Sequence, residues 1–244
     1  YHRACAAVLQ RHKPAQAEIR LNTASSLTAA LSLLDEKPFQ FLTKAGRPVE
    51  LGEGRAEMRA TLRLPLVKKV QPGDVSFNVE GLLHDVRSDV VVPGRVITAR
   101  QMNLAATPRG LELSGEGQIG EVPFAATYRL PFGKAAAGRS EVEGRVELSP
   151  RSIAEFRIGL PKGAVSGDGT GDFRIDMAKG APARLSLSSA LKGMVLSLPE
   201  IGWSKPAAGS GRLDVHETLG KPVSVDRLAL SGAWHEAEGK VALT

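Results

Sequence analysis

Residues 111–130 read Leu-Glu-Leu-Ser-Gly-Glu-Gly-Gln-Ile-Gly-Glu-Val-Pro-Phe-Ala-Ala-Thr-Tyr-Arg-Leu, with apolar residues on every second position of two runs. Leu111 and Leu113 belong to the first run, and Val122, Phe124, Ala126, Tyr128 and Leu130 to the second. Successive side chains of a strand point to opposite faces, so this spacing gives each strand one apolar and one wet face. The glycine-and-proline break between the runs predicts a turn that lays the second strand beside the first. A chain written this way folds as antiparallel sheet, and its function is to be sought in the shared apolar face.

The pattern recurs along most of the sequence. Met58, Ala60, Leu62 and Leu64 alternate with Glu57, Arg59, Thr61 and Arg63, and Pro72-Gly73 then turns the chain into Val75, Phe77 and Val79. Further strands are predicted at 85–92, 95–106, 141–148, 171–177 (Phe173, Ile175) and 183–189 (Leu185, Leu187). Others follow at 193–198 (Leu196), 209–216 (Leu213, Val215), 223–231 (Val225, Leu230) and 237–243, with one helical turn opened by Ser149-Pro150. Gly120-Glu121-Val122-Pro123, Gly180-Ala181-Pro182 and Gly220-Lys221-Pro222 each introduce an alternating strand, a loose repeat of units that bury their apolar faces by stacking. No linker divides residues 55–244, which read as one continuous, elongated and curved antiparallel layer, with the same alternation whether it forms an open groove or a closed sandwich. The apolar-phase residues named here, from Met58 to Leu230, are its candidate lining.

Residues 1–54 read differently. A short strand fits Ala17–Leu21. Thr23, Ser25 or Ser26 can cap a helix carrying Leu27, Ala30, Leu31 and Leu34 on one face. Pro38 suits the first turn of a second short helix bearing Phe39, Phe41 and Leu42, with Gly46 at its end. A helical pair of this kind serves as a cap on one end of a sheet.

The chain carries a formal charge of +6, but residues 1–70 hold 12 Lys/Arg against 6 Asp/Glu and the remainder is balanced at 20 of each. The aromatic residues do not interleave with basic clusters, so no stacking platform for nucleic acid is written here. Cys5 is the single cysteine and excludes an internal disulfide. The chain opens at Tyr1 and contains no apolar run of about 20 residues, so it reads as an excised piece of something longer.

Catalytic vocabulary is sparse. Gly115-Glu-Gly117-Gln-Ile-Gly120 matches a dinucleotide fingerprint in letters, but a strand follows where a helix is required, so the glycines are read as a tight turn. Gly167-Asp-Gly169-Thr-Gly171 is read in the same way. The five histidines (His2, His12, His84, His216, His235) are scattered without metal-ligand spacing, and His216 falls on the polar phase of its strand. Glu141, Glu143, Arg145 and Glu147 are assigned to cross-strand ion pairs, and Asp74, Asp85 and Asp89 to turns. The expectation is a non-enzymatic protein with no cofactor and no metal.

Two stretches carry a resemblance. One runs from Ser32-Leu-Leu-Asp35 through Lys44-Ala-Gly46-Arg-Pro48 to Gly54-Arg-Ala-Glu-Met-Arg. The other is Ala190-Leu-Lys-Gly193-Met-Val-Leu-Ser-Leu-Pro199-Glu-Ile-Gly202-Trp-Ser-Lys205, followed by Gly211-Arg-Leu-Asp-Val. Over most of residues 15–244 the chain resembles the AsmA-like family of bacterial envelope proteins, in its YhdP-type branch; Trp234-His235 departs from that pattern. The resemblance implies a large periplasmic β groove held at the inner membrane by an anchor outside this segment. It further implies that the groove carries glycerophospholipids between the inner and outer membranes, with their acyl chains as its partner.

Physical chemistry is consistent with such a role. Exposing about thirty methylenes of a two-chain lipid costs on the order of 20 kcal/mol. A dozen strands of about eight residues would make a trough roughly 55 Å long and ~26 Å wide, lined by aliphatic groups without head-group selectivity. A structural or assembly scaffold of the envelope, with the same strands closed on a dry core, is the competing reading. A transmembrane barrel is disfavoured by the absence of aromatic girdles and by the N-terminal helices.

Overall fold

In the computed structural model the described residues are 2–10, 15–36, 42, 43, 48–133, 136, 138–199, 202–219, 224–232 and 235–242, with side chains described except for 2–10, 72, 198, 203 and those after 219. The protein is mainly β, as the alternation requires. Its strands are β1 (His2–Gln10), β2 (Gln16–Ser26), β3 (Glu53–Pro65), β4 (Ser76–Ser88), β5 (Ile97–Thr107), β6 (Gly110–Ile119), β7 (Val122–Pro131) and β8 (Arg139–Leu148). These are followed by β9 (Val165–Ser166), β10 (Gly169–Ala178), β11 (Ala183–Ser189), β12 (Val195–Leu198), β13 (Trp203–Lys205), β14 (Gly211–Leu219), β15 (Ser224–Gly232) and β16 (His235–Ala242).

Thirteen strands form one sheet in the order β1-β2-β3-β4-β5-β6-β7-β8-β10-β11-β14-β15-β16, while β13-β12-β9 form a second, smaller sheet. Strands of the large sheet lie in chain order, but not all are joined by short hairpins: residues 27–52 separate β2 from β3, and the excursions carrying β9 and β12–β13 separate β8 from β10 and β11 from β14. Among the described residues β1 and β16 do not pair with each other, so the sheet is open. Packing divides the chain into two compact units: residues 1–117 with 129–135, and residues 118–128 with 136–244. The compositional boundary at 54/55 falls inside β3.

In the first unit, Ser26 ends β2 in an extended conformation and caps α1 (Leu27–Asp35), its hydroxyl oxygen accepting from the Ala29 N–H at 3.2 Å. Of the expected helix face, Leu27 is buried and Ala30 and Leu31 are partly buried, whereas Leu34 is exposed beside Leu33. Thr23 and Ser25, offered as caps, lie inside β2. The second predicted helix is described only at Leu42 and Thr43, which are helical; Pro38, Phe39, Phe41 and Gly46 lie outside the described residues.

Several sequence expectations are corrected. No strand begins at 85: β4 runs unbroken to Ser88, and Asp85 adopts a left-handed φ of 52° within it instead of marking a turn. Gly115 and Gly117 lie in β6, and only Gly120, at φ 58°, makes the turn. Likewise Gly169 and Gly171 belong to β10, and Gly167 alone is left-handed. The layer is not the whole of the second region, because the strand near 193–198 leaves the large sheet for the small one. Ser149 opens α2 (Pro150–Glu155), accepting from the Ser152 N–H while Ser152 Oγ accepts from the Ser149 N–H.

Candidate functional site

The register of the first unit places its apolar phase on one face. Ile19, Leu62 and Phe77 are successive cross-strand partners; so are Leu21, Ala60, Val79 and Ala106, and then Ala56, Leu83 and Met102. Helix α1 covers one end of this face. Leu27, Ala56 and Leu83 are buried together there, with Met58, Val86, Met102 and Leu113 packed around them. Toward the other end Leu62, Leu64, Val75, Phe77 and Val79 are only half-buried, as is Leu111 on β6. Beyond α1 this part of the face is only partly shielded from water.

The second unit repeats the arrangement with different parts. Val142, Ile175 and Leu185 are in register, then Gly144, Phe173, Leu187 and Val215; Val146 pairs with Gly171, and Ser189, Leu213 and Leu230 follow one another across β11, β14 and β15. One end of this face is covered by a small lobe made of α2, β9, β12 and β13. Val165, Leu191, Met194 and Leu196 are its buried cluster, and Leu148, Ile153 and Leu213 pack against it. Phe173, Ile175, Leu185, Leu187 and Val215 stay half-buried beyond the lobe. Glu217 stands opposite Leu185 and interrupts the apolar row with a carboxylate.

The predicted lining is therefore sorted into groups. Met58, Leu113 and Leu213 contact a cap, and Leu196 is not in the large sheet at all but buried in the lobe, because its strand pairs with β9 and β13. Val122 is fully buried at the start of β7, whereas Phe124, Tyr128 and Leu130 are half-buried along it. The side chains of Val225 and Leu230 lie outside the described residues. Glycines share the apolar phase: Gly81 lies beneath the Met58 side chain, and a Cβ on Gly144 would fall on the backbone of Ala125 and Ala126.

The lobe contains a residue that sequence reasoning missed. Lys205 stands opposite Leu196 in register and is only 3% exposed. Its Nζ donates to the carbonyl oxygens of Met194 at 3.0 Å and Pro206 at 3.2 Å, and its stem lies against Gly211. Burial holds its pKa below the usual lysine value. The apolar partner Leu196 was the available signal. Leu191 adopts a left-handed φ of 53°, its N–H donating to Ser189 Oγ at 3.0 Å, and that hydroxyl donates to Thr170 O at 2.8 Å.

The polar faces carry ion pairs, as the alternation of charges predicts. Glu18 is buried under Arg63 (Nε–Oε2 2.8 Å) and Arg20 (2.6 Å), whose hydrogen bonds, Arg63 first, hold its pKa below the usual carboxylate range. Arg174 meets Glu141, Glu143 at 3.9 Å and Asp176 at 3.0 Å. Glu147 pairs instead with Arg151, four residues on. A shallow concavity of about 500 Å³ is lined by residues of the polar phase, among them Glu143, Arg145, Asp172, Arg174 and His216, together with Gly144, Phe173 and Leu187, and Ser186 Oγ lies 3.2 Å from His216 Nδ1. It opens broadly to water. Among the described residues no three His, Cys, Asp or Glu side chains gather as a metal site, and no helix is long and apolar enough to cross a membrane.

Comparison with protein-family models, curated proteins and solved structures returned no match.

Proposed function

We propose that the protein is a non-enzymatic segment of a lipid-conducting groove, in which the half-buried apolar phase holds the acyl chains of glycerophospholipids moving between inner and outer membranes. In this reading the protein works in the periplasm, tethered to the inner membrane by an anchor elsewhere in a longer chain. The observation that carries it is the partial cover: in each unit a cap buries one end of the apolar face and leaves aliphatic and aromatic side chains half-exposed beyond it. Acyl chains are the occupant whose transfer from water such a lining rewards, at ~0.8 kcal/mol per methylene. The scaffold reading, with the face closed on itself, would leave the same side chains fully dry.

A pair of substitutions separates the two readings. Leu83→Asp places a charge in the cluster under α1 and should unfold the first unit, since an unpaired buried charge costs several kcal/mol. Leu62→Asp, on the same phase but beyond the helix, should keep the fold and abolish lipid transfer between vesicles. Photo-crosslinkers at Leu62 and Leu187 should give lipid adducts, and ones at Arg63 and Ser188 on the opposite phase should not. Adducts at all four positions or at none, or loss of fold in Leu62→Asp, would reject the groove.

A further inference from the structure

We propose that the loop joining β3 to β4, Leu66-Val67-Lys68-Lys69-Val70, is a lip that inserts into an anionic lipid surface. Three of its five side chains are aliphatic and exposed: Leu66 at 51%, Val67 at 42% and Val70 at 39%. The loop is pinned at both ends, so these groups do not fold back. The Leu66 N–H donates to Ala15 O at 2.7 Å, while the Gln71 N–H donates to Asp74 Oδ2 and the Asp74 N–H to Gln71 O, both at 2.9 Å. Lys68 and Lys69 are exposed between the aliphatic residues, and among the described residues no ion pair joins either to a carboxylate. Arg63, near the same end of β3, is by contrast paired with Glu18.

Aliphatic groups flanked by lysines suit the boundary between head groups and acyl chains, where the apolar part dips in and the ammonium groups stay at the surface. An anionic surface supplies the missing counter-charge. A protein partner would need a shaped apolar face opposite the loop, and nothing in a five-residue tip specifies one. The loop also leaves β3 at the end away from α1: Ala56 under the helix and Leu64 beside the loop are eight residues apart, about 26 Å along the strand. The inference rests on the loop and its charges, and membrane binding would stand even if the apolar face carried no lipid.

Sedimentation with vesicles of phosphatidylcholine, with and without phosphatidylglycerol, tests it. The wild-type chain should bind the anionic vesicles preferentially, and added salt should weaken that binding. Lys68→Gln with Lys69→Gln should reduce partitioning onto anionic vesicles about thirty-fold. Leu66→Ser with Val67→Ser should reduce it comparably, with the circular dichroism spectrum unchanged. Val90→Ser with Val91→Ser, in an exposed aliphatic pair that follows Asp89, should leave it unchanged. Absence of wild-type binding, salt-independent binding, a lysine variant that binds like wild type, or an equal loss in the Val90/Val91 variant would each overturn the proposal.

Discussion

The two units meet one requirement by unlike means. Each ends an apolar sheet face with a cap, but the first uses a single helix from one contiguous segment, whereas the second uses a lobe assembled from two. Helix α1 needs a serine cap and three apolar contacts at helical spacing. The lobe brings together residues from 150 to 205 across two intervening strands of the large sheet, and includes a left-handed leucine and a buried lysine. Coverage by local structure is thus economical in constraints, while coverage by non-local structure concentrates them in a few residues. The lobe should therefore be the more fragile cap.

The largest effect in breaking this comparison is expected at Leu191. Leu191→Ala removes a buried side chain from the centre of the lobe and should cost about 2–5 kcal/mol locally. Hydrogen exchange should show protection lost in β9 and β12 but kept in β3 and β4, and equal loss in both would contradict the independence of the caps. Next comes Lys205→Met, which takes a donor from the buried Met194 carbonyl and should cost roughly 1–3 kcal/mol.

The pH dependence at Lys205 has a definite sign. A lysine whose folded pKa is lowered binds fewer protons when folded than when unfolded, so wild-type stability should rise as pH climbs from the folded value toward the unfolded one near ~10.4. That rise should vanish in Lys205→Met; its persistence in a denaturant titration would point to another group. The smallest effect is expected at the simpler cap. Ser26→Ala removes one capping acceptor, costs about 1 kcal/mol and frays the start of α1, measured as faster amide exchange at Ala29.

Legibility followed the range of the forces involved. Period-two runs such as Met58–Leu64 and Leu111–Leu113 became strands because alternation acts residue by residue. The hairpin turns at Gly120 and Gly180 followed from conformations favouring glycine. β1 escaped notice because His2–Gln10 does not alternate, and β9 and β13 because two or three residues carry no period. Which sheet a strand joins is decided by distant partners, so Leu196 looked like lining and proved to be lobe core. Half-burial of Phe77 or Leu187 was equally invisible, since alternation is the same under a lid and without one. Glu18 shows the converse: it stands opposite Arg63 on the polar phase of β2, yet two arginines cover it.

Gly144 bears on how this sequence can drift. Every amino-acid substitution of a glycine adds at least a Cβ, and here that atom would land on the Ala125 and Ala126 backbone, which cannot swing aside as a side chain does. Gly73, with nothing within 4 Å of its position, has no such neighbour. A saturation library selected for folding should fall silent at codon 144 and stay populated at codon 73, although the two codons begin equal in the reading frame.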